Sequence, residues 1–217
     1  MIVCLDTACN AFWDFKVRSA DPRHDAMQPH LLNLSLMAWN ADFTAERIAE
    51  GGFSYQHGAM VRLPEGVHVT DEAADYHGIT NDLAQQHKLD LREALTTVPG
   101  DYMPFSVEEL LNRRAILIVA HNAAYHRRVV ELSFRRAGLE LRGSVVWFCT
   151  RTTAANVVKT KQQANGGWKP PTLDEAHRFF DNPAHRHEPI KHAPAPRLPG
   201  AAVATVYLGL KAAGGGA

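Results

Sequence analysis

Residues 115–134 read AILIVAHNAAYHRRVVELSF, and this stretch decides the fold. Ala115 to Ala120 is an unbroken apolar run, the pattern of a strand covered on both faces. Helical spacing follows from Tyr125 to Ala137, with Val129, Val130, Leu132 and Phe134 on one side, and Gly138 is placed to end it. A buried strand that turns into a helix within a few residues belongs to a sheet with helices on its faces. In such sheets, sites form at the carboxyl ends of the strands. Here that end is His121-Asn122.

Working outward, the chain supplies the rest of the sheet. Ile2 to Leu5 is a short apolar run that leads into Asp6. Residues 32–38 alternate apolar and polar with period two, which predicts a strand, and His57 to Leu63 predicts a third, closed by the Pro64-Glu65-Gly66 turn. These three suit an antiparallel meander. Asp21 to Asp25 reads as loop. Asp71, Glu72 and Asp75 suit the start of a short helix. Ser106-Val107-Glu108-Glu109 is a capping box. Past residue 138, Ser144 to Cys149 predicts another buried strand. Thr172-Leu173-Asp174-Glu175 is a second capping box, opening a helix through Phe180. The stretch 182–200 is rich in proline and histidine and reads as irregular. Ala201 to Lys211 predicts a terminal helix. The expected organisation is one domain over 1–212 and a flexible tail at 213–217.

The chain has 217 residues, enough to bury a core without staples. Its three cysteines, Cys4, Cys9 and Cys149, form no CxxC pair and no disulfide framework. No apolar run reaches membrane-spanning length, and no signal peptide is read at the start, so the expected setting is cytoplasmic with no membrane partner. Lys+Arg and Asp+Glu both number 23, a net charge of zero. That zero conceals an arrangement. Residues 1–112 carry 7 basic and 17 acidic side chains, whereas residues 113–170 carry 11 basic side chains and only Glu131 and Glu140. Two readings are open: a basic surface that meets phosphate, or two blocks that fold together and cancel.

In order along the chain, these segments resemble the DnaQ-like, DEDD-type 3'-5' exonucleases, which have a ribonuclease-H-like fold. The family's Asp-x-Glu strand is matched by Cys4-Leu5-Asp6-Thr7-Ala8. Its Arg-Pro loop and His-Gly-Ile-Thr are matched by Val61-Arg62-Leu63-Pro64 and His77-Gly78-Ile79-Thr80. Its His-Asn-Ala motif, with an aromatic residue and Asp on the next helix, is matched by His121-Asn122-Ala123-Ala124-Tyr125-His126. Phe148-Cys149-Thr150 and Leu173-Asp174-Glu175-Ala176 continue the series, and the last motif falls near Pro194 to Pro199. The resemblance implies an α/β fold with a ribonuclease-H-like mixed sheet, an antiparallel meander and then parallel strands, flanked by helices.

It also implies a reaction for which this chain lacks the parts. The family's phosphodiester hydrolysis uses two Mg²⁺ or Mn²⁺ ions held by four carboxylates, with a histidine as base in one branch. Of the four acids only Asp6 is present. The others are replaced by Ala8, by His126 and, in the last motif, by Pro199, or by Arg197 if the register slips so that His192 takes the histidine's place. Ala8 alone would also fit a substitution made to trap substrate. The catalytic candidates are therefore Asp6 and His192. The metal candidates are Asp6 and His126, a pair that with His185, His187 or His192 would suit Zn better than Mg. The nucleic-acid-binding candidates are Thr7, His77, Asn122 and Tyr125 from the motifs, and Arg127, Arg128, Arg151, Lys159 and Lys161 from the basic block. Trp168 also suits base stacking. Phe12, Trp13 and Phe15 fit either stacking or core.

Three functions follow as expectations. The first is a catalytically impaired pseudo-exonuclease that binds single-stranded DNA or RNA without a bound cofactor. The second is a scaffold subunit that keeps the fold to dock on a polymerase, nuclease or phage protein complex. The third is an active nuclease with a non-standard Asp/His site. The oligomeric state is not read from the sequence.

Overall fold

The computed structural model describes residues 1–17, 20–21, 23–39, 55–87, 89–98, 105–113, 116–143, 145–181 and 199–214. The segment 182–198, which holds His185, His187, His192, Pro194 and Arg197, lies outside the described residues. Five strands form one sheet: β1 (Ile2–Cys9), β2 (Leu31–Trp39), β3 (Tyr55–Met60), β4 (Ile116–Ala120) and β5 (Val145–Cys149), in the order β3-β2-β1-β4-β5. The pairs β1–β2 and β2–β3 are antiparallel, and β1–β4 and β4–β5 are parallel. This is the meander-then-parallel sheet that the sequence predicts.

The helices are α1 (His24–Met27), α2 (Asp71–His77), α3 (Asn81–Gln85), α4 (Leu91–Thr96), α5 (Val107–Leu111), α6 (Ala123–Arg136), α7 (Thr150–Val158), α8 (Leu173–Asp181) and α9 (Pro199–Ala212). Period two along β1 sends its side chains to two cores. Val3 and Leu5 pack with Leu36, Ile118, Val129, Val130 and Phe134 under α6, α5 and α4. Ile2 and Cys4 pack with Met37, Trp39, Val119, Val203 and Tyr207 under α9.

Three sequence readings are corrected. The 21–25 stretch is not all loop, since His24 begins the one-turn α1. The third strand ends at Met60, not Leu63. The strand at 145–149 is a sheet edge and not fully buried: Val146 is 65% exposed. Its apolar composition resembles that of β4, and only the sheet order distinguishes the two.

The sheet also diverges at one end. Register between β1 and β4 runs from Ile2↔Leu117 only to Cys4↔Val119, whereas β1 stays paired with β2 as far as Cys9↔Leu31. Residues 5–9 of β1 thus extend past their parallel neighbour at the point where pairing changes from antiparallel to parallel. In sheets of this kind that divergence marks the carboxyl end of β1 as the candidate site.

Candidate functional site

Asp6 and Thr7 occupy the end of β1 that is paired with β2 but extends past β4. With no β4 partner, the N–H of Thr7 donates to Nδ1 of His126 (3.2 Å), and the Thr7 hydroxyl lies 2.8 Å from the same nitrogen. A backbone N–H can only donate, so Nδ1 is the acceptor and Nε2 carries the proton. That proton goes to the carbonyl of His121, 3.0 Å away, and Nε2 is also 3.4 Å from Oδ1 of Asp6. Burial holds His126 down at about 4 and pushes Asp6 up to about 7. His126 is therefore a neutral ring near neutral pH, with both nitrogens committed to protein partners.

The sharp exit from β4 makes this geometry possible. Asn122 adopts φ +79, a left-handed conformation that asparagine tolerates better than most residues. It caps α6 without a side-chain bond and brings His126, in the first turn, back against His121. His121 is fixed as well: Nε2 donates to the Pro171 carbonyl (2.9 Å) and Nδ1 faces the Thr150 hydroxyl (3.1 Å), with burial holding it at about 4. Beside it, burial raises the Cys149 thiol, but the Thr152 hydroxyl and the N–H groups of Thr152, Ala123 and Asn122 outweigh that and leave it lowered.

The His-Gly-Ile-Thr stretch closes the other side. His77 donates from Nε2 to the Cys9 carbonyl (3.0 Å) and accepts the Ile79 N–H at Nδ1 (3.1 Å). Gly78 takes φ +76 to end α2, and the Thr80 side chain caps α3. The motif is thus a latch that ties the α2–α3 turn to the end of β1. It holds Tyr76, one residue before His77, exposed beside Phe12. Crowding raises the Tyr76 hydroxyl, the charges of Asp6 and Asp174 add to the rise, and Arg151 opposes it. Tyr125 is largely occupied inside, where its hydroxyl bonds the Cys9 thiol and its ring meets His126 at 5.2 Å.

The other positions at which the resemblance implies acids are filled without a carboxylate. Ala8 lies two residues beyond Asp6 on the same strand face. At the last motif, α9 begins with Pro199 and Gly200, and the Gly200 N–H reaches the Ser35 hydroxyl (3.3 Å), on the residue paired with Asp6. Among the described residues no three His, Cys, Asp or Glu side chains converge as a metal site. Among the described residues, Asp6 beside a histidine with no free lone pair supplies too few oxygen donors for two hard divalent ions.

The basic block separates into two kinds. Arg135 forms a two-bond ion pair with Asp25, and Arg136 donates to the carbonyls of Pro29, Gln28 and Asp25, stapling the 25–29 segment to α6. Arg127 pairs with Glu131. Part of the charge asymmetry is therefore cancelled inside the fold. Arg128 instead lies over the Phe15 ring (5.4 Å) and Lys159 over Trp168 (5.9 Å), while Lys161 is exposed.

Aromatic exposure distinguishes the two readings of the cluster after β1. Trp13 packs on the core, but Phe12 and Phe15 are 52% and 72% exposed. Phe12 meets Tyr76, itself 77% exposed, edge to face at 5.8 Å. Sequence reasoning overlooked Tyr76 and Asp174. The only available signal was the position of Tyr76 directly before His77.

No family model and no curated protein matches the chain. Solved structures do. It is similar to exonuclease I in complex with the inhibitor BCBP, at 10% identity and TM-score 0.63 over 97% of this chain and 41% of that one. It is similar to the zinc-ion-bound form of the E. coli exonuclease I–ssDNA complex (10%, TM-score 0.62, 98% of this chain and 40% of that one). It is also similar to E. coli exonuclease I with a dT13 oligonucleotide (11%, TM-score 0.60, 95% and 39%). The chain spans about two fifths of the length of each. At this identity the likeness is one of fold, a ribonuclease-H-like mixed α/β sheet flanked by helices. No helix among the described residues is long and apolar enough to cross a membrane.

Proposed function

We propose that this chain binds single-stranded nucleic acid at the carboxyl end of β1 and does not hydrolyse it. The observation that carries this reading is the exposed aromatic pair Phe12–Tyr76, with the cation Arg128 over Phe15 on the same segment as Phe12, near a strand end where His126 stands at the position of a family acid. Burial raises Asp6 to about 7 beside a neutral His126, so Asp6 opposes a phosphate less than an ordinary ionised carboxylate would. Phe12, Tyr76 and Phe15 offer faces for bases, and Arg128 and Arg151 offer charge for the backbone. The solved exonuclease I complexes with oligonucleotides, on the same fold, favour this ligand class. DNA and RNA are treated alike.

In this reading His126 holds the end of β1 in place of a metal cage. It supplies the acceptor that Thr7 lacks and returns its proton to the His121 carbonyl. The test is one set of mixtures: 3'-labelled single-stranded DNA or RNA with EDTA, Mg²⁺, Mn²⁺ or Zn²⁺. The expected result is salt-dependent binding in every metal condition and intact label. Metal-dependent release of 3' nucleotides that Asp6→Ala abolishes would establish an active enzyme with a non-standard site instead. A folded protein that binds neither polymer at low salt would leave the scaffold role, with a protein complex as partner.

A further inference from the structure

Past β5, the chain from Thr150 to Thr172 carries Arg151, Lys159, Lys161 and Lys169 and no acid. Residues 161–169 form a small antiparallel hairpin. Lys169 N–H donates to the Lys161 carbonyl, Gln163 N–H to the Gly167 carbonyl, and Gln162 faces Trp168. The Thr160 hydroxyl ties the base of the hairpin to the Lys169 carbonyl, and Gly166 turns its tip at φ +81. It is a preformed, polar projection.

Two of its features are unfavourable taken alone. The register that pairs Gln162 with Trp168 puts Lys161 directly opposite Lys169, so two like charges share one face of the ribbon. No ion pair involves either lysine among the described residues, unlike Arg127, Arg135 and Arg142. Lys159 adopts φ +52, where a side chain costs about 1 kcal/mol that glycine would not. That conformation lays its ammonium over Trp168. An external polyanion relieves the first cost and uses the second. α7 connects the hairpin to Arg151: from Arg151 to Lys159 it rises about 12 Å.

We propose that the 161–169 hairpin, with Lys159 at its base, is a second phosphate-backbone contact for single-stranded nucleic acid, one helix length from Arg151, which widens the footprint of the chain. The inference rests on the single-strand binding proposed above and adds a length requirement to it. With backbone charges spaced about 3.4 Å along a stacked strand, roughly four nucleotides separate the two contacts. A trinucleotide reaches only one of them, whereas a decamer reaches both.

The test compares oligo-dT of three and ten nucleotides on the full chain, by anisotropy over a range of salt. In the wild-type protein the decamer is expected to bind more tightly and with the steeper salt dependence. K159Q/K161Q/K169Q is expected to lose about tenfold or more in decamer affinity, to reduce the log–log salt slope by about 2, and to keep the trinucleotide affinity, which also reports that the variant is folded. A triple variant with wild-type decamer affinity and slope overturns the proposal and leaves binding at the end of β1 intact. Competition by polyglutamate as effective as that by oligonucleotide overturns it in favour of a general polyanion contact. Absence of binding to both lengths by wild-type protein defeats the proposed single-strand binding and this inference together.

Discussion

The imidazole of His126 accepts the backbone N–H of Thr7 at Nδ1 and points Nε2 at the carboxylate of Asp6, 3.4 Å away. A histidine placed so is a part of the fold as well as of the site, and its protonation is coupled to folding. His126, His121 and His30 all lie at about 4 in the folded protein, each depressed first by burial. In the unfolded chain they take up protons near 6.5.

The unfolded state therefore binds more protons between pH 4 and 6.5, and these rings contribute stability that is present above 6.5 and lost as pH falls towards 4. For buried His121 and His126 the contribution is about 3 kcal/mol each at most. Asp6 acts in the opposite sense. Raised to about 7, it contributes stability that is full below its unfolded value near 3.8 and lost as pH rises through 7. Three groups oppose one, so urea midpoints should rise from pH 4 to 6.5, and more steeply in Asp6→Asn. A flat or falling wild-type profile over that window would contradict the tautomer assigned to His126.

The donor set makes a second prediction. If the centre fits no divalent ion, 10 mM Mg²⁺ or Mn²⁺ should leave the melting temperature of the wild-type protein unchanged. Placing acids at the strand position Ala8 and the helix position His126, as in A8E/H126D, gives three carboxylates counting Asp6. That variant should be destabilised by about 2–4 kcal/mol without metal, since like charges then share a desolvated site. It should also gain melting temperature when metal is added. A metal-induced shift in the wild-type protein equal to that of the variant would show that other residues complete a site.

Arg136 and Arg127 separate structural charge from surface charge. The Arg136 guanidinium is half-buried and satisfies three carbonyls between Asp25 and Pro29, whereas Arg127 makes one exposed pair with Glu131. Arg136→Ala leaves those carbonyls without their donor and should cost about 2–3 kcal/mol in urea unfolding. Arg127→Ala should cost under about 0.5 kcal/mol. Equal costs would remove the distinction.

The extent to which this was legible in the sequence follows from range. Local signals were readable: the capping boxes at Ser106 and Thr172, the apolar run of β4 and Gly138 at the end of α6 are set within a few residues. The sheet order was legible only through the resemblance, because nothing local says that β1 lies between β2 and β4. His126 could be read as replacing an acid, but not as the acceptor for Thr7, a partner 119 residues away. Composition could not sort the arginines, since Arg135 finds Asp25 from 110 residues away. Phe12 and Phe15 fitted either stacking or core, with core the commoner fate of such clusters. Their exposure depends on α2 and α6 rather than on their own neighbours in sequence.

That exposure gives the last prediction. Phe12 and Tyr76 meet edge to face at 5.8 Å, and neither ring is buried by the protein. Truncating an exposed ring removes little folded-state packing, so Phe12→Ala should shift the urea midpoint by under about 0.5 kcal/mol. A base stacked on the same ring is worth about 1–3 kcal/mol, so affinity for single-stranded oligonucleotide should fall about 5- to 100-fold. Tyr76→Ala should behave similarly, and Phe12→Trp should retain binding because it keeps the stacking face. The double variant should lose less than the sum of the singles, since the two rings support one another. If Phe12→Ala instead unfolds the protein and leaves affinity per folded molecule unchanged, the ring is a packing element and the bases stack elsewhere.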